Sequence, residues 1–182
     1  MINRIFFLLL VSITTRTYVQ AQTDNRPVYA RIVYIKPKEG KQKDFEEGYK
    51  RHLGWHKDNK DPWTWHGWSV ISGERLDEFM DGTFFRTLQE FDHPVDPAGD
   101  SKHNKEHVSP YADFRTVETL KFVPTASRSS GDSLHAKFMK MYEVRLVPGK
   151  TKAFEGAMVE IFSKTSFTCF TFEVIDGHEA PT

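Results

Sequence analysis

A seven-residue pattern occurs twice in this chain. Gly40-Lys41-Gln42-Lys43-Asp44-Phe45-Glu46 is answered by Gly149-Lys150-Thr151-Lys152-Ala153-Phe154-Glu155. Downstream, Trp63-Thr64 corresponds to Phe167-Thr168, and Val70-Ile71-Ser72-Gly73 to Val174-Ile175-Asp176-Gly177. Any one match is within chance, but several in register predict a duplicated unit. In both copies a glycine break precedes an amphipathic stretch, and an aromatic run follows. That order calls for strand, helix, strand, and so for an α+β fold.

The first copy extends further than the second. Val28–Ile35 is rich in β-branched and aromatic residues and reads as a strand opened by Pro27. From Lys41 to His56, Phe45, Tyr49, His52 and His56 fall on one helical stripe with Leu53 beside it, while charged residues fill the other faces. Trp63–Ile71 carries three of the four tryptophans and reads as the second strand. Phe79–Leu88 is the third, with Gly82 marking a bulge or a close approach. Asp96–Val108 is polar and permits a helix despite Pro97 and Gly99, and Arg115–Val123 is the fourth strand. After a polar linker the pattern restarts: strand Phe138–Val147, helix Lys150–Lys164, strand Phe167–Ile175.

Met1–Ala21 reads as a secretory signal. Arg4 precedes the apolar run Ile5–Val11, and Val19-Gln20-Ala21 stands before a cut ahead of Gln22. The apolar run is too short to cross a bilayer, so no stable membrane span is expected. The chain is expected to be exported, to the periplasm or the extracellular space. Removing this segment leaves two more acids than bases, which offers no footprint for nucleic acid. The single cysteine, Cys169, excludes an intrachain disulfide and a cysteine-rich zinc site.

The strand-helix-strand modules, each with a Gly-x-x-x-x-Phe helix start, resemble the dimeric α+β barrel superfamily, which includes the antibiotic-biosynthesis-monooxygenase, stress-responsive barrel and NIPSNAP families. The resemblance implies a ferredoxin-like βαββαβ module, strand order four-one-three-two, that pairs sheet to sheet with another copy. The expected organisation is a signal peptide (1–21), a ferredoxin-like module (27–124), a linker (125–134) and a partial second βαβ module (135–177). A half module leaves strands without partners, and each unpaired buried peptide group costs on the order of 1–3 kcal/mol. Self-association, or a shortened version of a longer tandem protein, is therefore expected. Members of the superfamily range from cofactor-free oxygenases through haem enzymes to proteins without known activity, so the resemblance implies a fold more than a function.

No motif names a catalytic group or a cofactor. Trp63 and Trp65 alternate onto one face of their strand, His66 and Trp68 onto the other. With Tyr34, these residues are the candidates for lining a cavity that takes a small apolar or aromatic ligand; a plain aromatic core is the alternative. An oxidoreductase acting in the cavity, cofactor-free or haem-dependent, is the second reading. His52 and His56, four apart on a helix, could share a metal with His66. The spacing lacks a zinc signature, so partly solvated edge histidines are expected there, as for His103 and His107. Tyr34, Tyr49, Asp81, Asp92 and Arg86 could supply acid–base or anion contacts, though no spacing singles them out.

Overall fold

The structure, a computed structural model, describes residues 27–129, 134 and 136–179. The expected signal segment lies outside the described residues. The elements run β1 (Tyr29–Pro37), α1 (Gln42–Asp58), β2 (Trp65–Ser69), β3 (Phe79–Arg86), α2 (Leu88–Phe91), α3 (Pro97–His107), β4 (Ala112–Phe122), α4 (Thr151–Lys164) and β5 (Phe172–Glu179). The strands form one sheet in the order β2-β3-β1-β4-β5, and every neighbouring pair is antiparallel. No helix among the described residues is long and apolar enough to cross a membrane.

The central strand β1 is covered on both faces, as its unbroken apolar run requires. On one side, Ile35 packs with Phe45, Tyr49, Val108 and Ala112, joined by Val33, Leu53, Phe79 and Phe114; α1 and the end of α3 close this face. On the other, Ala30, Ile32 and Tyr34 pack with Met80 and Leu120, bordered by Trp68, Phe84 and Phe172. A bulge sharpens the aromatic side. Tyr29 pairs with Arg86 and Arg31 with Thr83, so two phenylalanines of β3 stand against one residue of β1. Phe85 takes φ 58°, and both Phe84 and Phe85 contact the ring of Phe172.

Helix α1 buries the expected stripe and adds Gly48 to it. A Cβ on Gly48 would stand 1.9 Å from the carbonyl oxygen of His107, so α1 and α3 meet backbone to backbone. Helix α3 forms because its unpromising residues sit at its start. Pro97 occupies the first turn, where its missing N–H costs nothing, and Asp96 caps the helix by accepting from Gly99 N–H at 3.1 Å.

The C-terminal third departs from expectation. Residues 136–147 form no strand. Phe138, Tyr142 and Val147 are each about two-thirds or more exposed, and none of these residues joins the sheet, whose outer strands are β2 and β5. The final strand begins at Phe172 rather than Phe167, because the intervening residues are tied elsewhere. Arg128 and Cys169 exchange backbone hydrogen bonds, and Thr171 O accepts from Val123 N–H. Strand β5 then extends the first sheet beside β4. The linker region is also structured in part, with a 3-10 turn at Pro124–Ala126.

Candidate functional site

The four residues Asp100, His103, Asn104 and His107 fall three, four and seven apart along α3, so they share one stripe. Opposite stand Arg51, His52 and His56 of α1. Helices on a sheet usually meet through apolar side chains; these two meet through imidazoles, a carboxylate and an amide. His52 Nε2 lies 3.1 Å and His56 Nε2 3.6 Å from Asp100 Oδ1. His52 Nδ1 is 3.1 Å from His103 Nδ1, and Arg51 donates to His107 Nδ1 at 3.2 Å.

The loop after α1 fixes His56 from behind. Its Nδ1–H donates to Asp61 Oδ2 at 2.8 Å. The same oxygen accepts from Trp65 Nε1–H at 3.0 Å, and Asp61 Oδ1 accepts from Trp63 N–H at 2.9 Å. This last bond is a local Asx turn, which explains why the strand starts at Trp65 and not at Trp63. Burial and the neighbouring His52 hold His56 below the ordinary imidazole value, opposed by Asp100 and Asp61. Burial, with His107 and His52, also lowers His103.

Beneath the histidines, between the sheet and the two helices, lies a cavity of about 170 Å³. Its apolar wall includes Val33, Ile35, Val108 and Phe114; its polar groups come from His52, His56, Asp81, Asp100 and Asn104, with Tyr49 and Trp65 alongside. Tyr49 Oη donates to Asp81 Oδ1 at 2.6 Å. Desolvation pushes the Asp81 carboxyl up to about 6 against the opposing pull of that bond. Desolvation and the adjacent carboxylate also push the Tyr49 phenol up. Near neutral pH, Asp81 can therefore hold or release a proton beside the histidine pair.

The sequence candidates are divided between the two faces of the sheet. Trp65 lines the cavity under the helices. His66 and Trp68 point to the other face, where their rings stack at 5.7 Å and border a wider, open depression of about 350 Å³ with Thr64 and Lys137. Trp63 packs edge-on against Phe91. Tyr34 is a core residue: only 2% is exposed, its ring lies 3.7 Å from the Arg75 guanidinium, and burial raises its phenol to about 12. Two corrections follow. His52 and His56 are buried rather than solvated, and the third group beside them is Asp100, because β2 turns His66 away. His103 and His107 likewise face α1 rather than solvent alone.

Sequence reasoning missed Asp61, Asp100 and Asn104. The three–four–seven spacing of polar residues on α3, set beside a histidine stripe on α1, was the signal for Asp100 and Asn104; Asp61, in the loop after α1, carried none. The chain matches no protein-family model and no curated protein sequence.

Proposed function

We propose that this chain is an exported protein of ferredoxin-like, dimeric-barrel type that binds a small ligand in the cavity between its sheet and helices α1 and α3. The observation that carries the reading is convergence: the Tyr49–Asp81 pair and His52, His56 and Asp100 all line one apolar-walled space. Such a space with a few aimed polar groups is the usual form of a small-molecule site. The strand order four-one-three-two within β1–β4 supports the ferredoxin-like part, with β5 as an addition at the β4 edge. The cavity volume of about 170 Å³ is below the roughly 300–1,000 Å³ of pockets for drug-sized ligands. The occupant is accordingly a compact molecule with an apolar body and a polar end, and the volume disfavours a macrocycle such as haem.

The test is a fragment titration followed by NMR. Small aromatic and aliphatic acids, amides and phenols are expected to shift the Trp65 indole resonance, and Val33→Trp, which fills the cavity, is expected to abolish the shift. Binders that leave Trp65 unmoved, or the absence of any binder, would remove the reading.

The alternative reading, an oxidoreductase in the same cavity, is favoured by Asp81, whose raised value suits a general acid or base near neutral pH. Oxygen uptake with small quinols, lost in Asp81→Asn, is its expected signature. Self-association is supported by the exposed apolar side chains of residues 138–147 and of α4. Sedimentation of the protein over a concentration series measures it.

A further inference from the structure

We propose that His52, His56 and Asp100 bind a divalent first-row transition-metal ion, with coordination positions left open toward the cavity. The three donor atoms lie within 4.8 Å of one another. Two donors each about 2.1 Å from a tetrahedral ion stand roughly 3.4 Å apart. The separations of 3.1 and 3.6 Å from Asp100 Oδ1 to the two imidazole nitrogens straddle that value, and the two imidazoles, up to 4.8 Å apart, close on a shared ion by a side-chain adjustment.

Two further observations distinguish this from an ordinary polar cluster. Asp100 Oδ1 is shielded from solvent and has no hydrogen-bond partner, although His52 Nε2 is 3.1 Å away. An oxygen and a nitrogen at that distance that fail to bond are not aimed at each other; donors around an ion converge on a third point instead. Second, His56 must carry its proton on Nδ1 to donate to Asp61. In the neutral ring Nε2 is then a lone pair facing the lone pairs of Asp100. A cation between them removes the repulsion and satisfies the stranded oxygen. The carboxylate–imidazole–metal relay is completed by Asp61, itself pinned by Trp65 and Trp63; such outer partners orient the ligand ring.

Two imidazoles and one carboxylate suit Zn²⁺ or Fe²⁺ and leave positions for water or a bound ligand. Asn104 Oδ1, also buried without a partner and lining the same cavity, is placed to accept from a metal-bound water. The inference deepens the reading of this cavity as the functional one, and its test uses no organic ligand.

The experiment titrates metal-free protein, without a histidine tag, with ZnCl₂ by calorimetry, and with CoCl₂ by visible absorption. The expected result is one ion per chain and a cobalt spectrum of low-symmetry nitrogen–oxygen coordination. His52→Ala and His56→Ala are expected to abolish saturable binding. Asp61→Asn is expected to weaken it about 10–100-fold with unchanged circular dichroism, while His93→Ala leaves it intact. Should a histidine variant fail to fold, Asp100→Asn, whose side chain is partly exposed, and the wild-type cobalt spectrum decide. No saturable binding, binding retained in both histidine variants, or a spectrum equal to hydrated cobalt would overturn the proposal. Ion binding without any fragment binding would overturn the small-ligand reading alone; fragment binding without ion binding would overturn this one alone.

Discussion

Helices α1 and α4 start alike and end in opposite circumstances. Gly40 and Gly149 take φ 70° and 79°, the turn conformation that favours glycine. Lys41 and Lys150 then adopt nearly the same backbone angles ahead of the first turn. Phe45 N–H and Phe154 N–H each donate to the carbonyl of that lysine at 2.9 Å. Yet Phe45 is fully buried against the sheet, whereas no residue of α4 is buried. The lesson is that a local pattern specifies how a helix begins, and the strand before it specifies what the helix covers. Strand β1 pairs on both edges and holds α1 over a sheet face. Residues 136–147, in the equivalent place before α4, pair with nothing as a strand.

The contrast can be broken or sharpened by substitution. The largest effect is expected at the two phenylalanines. Phe45→Ala should cost about 3–5 kcal/mol in urea unfolding, and Phe154→Ala under about 1 kcal/mol; equal losses would show that α4 is covered in solution. Next come the glycines. Gly48→Ala must push against the His107 carbonyl and should destabilise by about 1–3 kcal/mol. Gly156→Ala on α4 meets nothing within 4 Å and should stabilise by roughly 0.4–1 kcal/mol.

A pH effect should be confined to the α1 side. The folded value of Asp81 is raised to about 6. Its contribution to stability is therefore fully present below the unfolded value, about 3.9, and is lost as pH rises through about 6. Asn cannot ionise, so Asp81→Asn should melt progressively higher than wild type as pH goes from 4 to 7, with little difference at pH 4. A gap that narrows over that range would reverse the assignment. The smallest change in stability is expected from Val159→Lys with Ile161→Lys, both exposed. Stability should move by less than about 0.5 kcal/mol, while sedimentation should shift toward smaller species if α4 takes part in self-association.

Apolar spacing and breakers located β1, α1, β3, β4 and α4 to within a few residues, while α3, which has no apolar stripe, was bracketed only by its polar, helix-permissive composition and by Pro110. They failed for residues 138–147, which have strand composition but pair with neither outer strand of the sheet, β2 or β5. Pairing is a property of the neighbour, and nothing in Phe138 to Val147 announces its absence. The start of β5 was missed for a related reason, since Arg128 engages Cys169 across a long stretch of chain. At the candidate site, His52 and His56 were legible as a pair on one stripe. Asp100 was hidden because its role depends on which helix lies alongside, and Asp61 because it acts through the imidazole of His56. His66 misled because alternation along β2 gives two faces without saying which one lies under helices.

The bare contact between Gly48 and the carbonyl of His107 has a mechanical consequence. It sets how close the two helices can come, with no flexible group between them to absorb error. His52 stands one turn beyond that stop, and His56 two turns beyond it. The distance across which His52 and His56 face Asp100 is thus gauged by rigid main chain, as the jaws of a calliper are set by their pivot. A single methyl group at residue 48 would open those jaws without altering any group that faces the cavity.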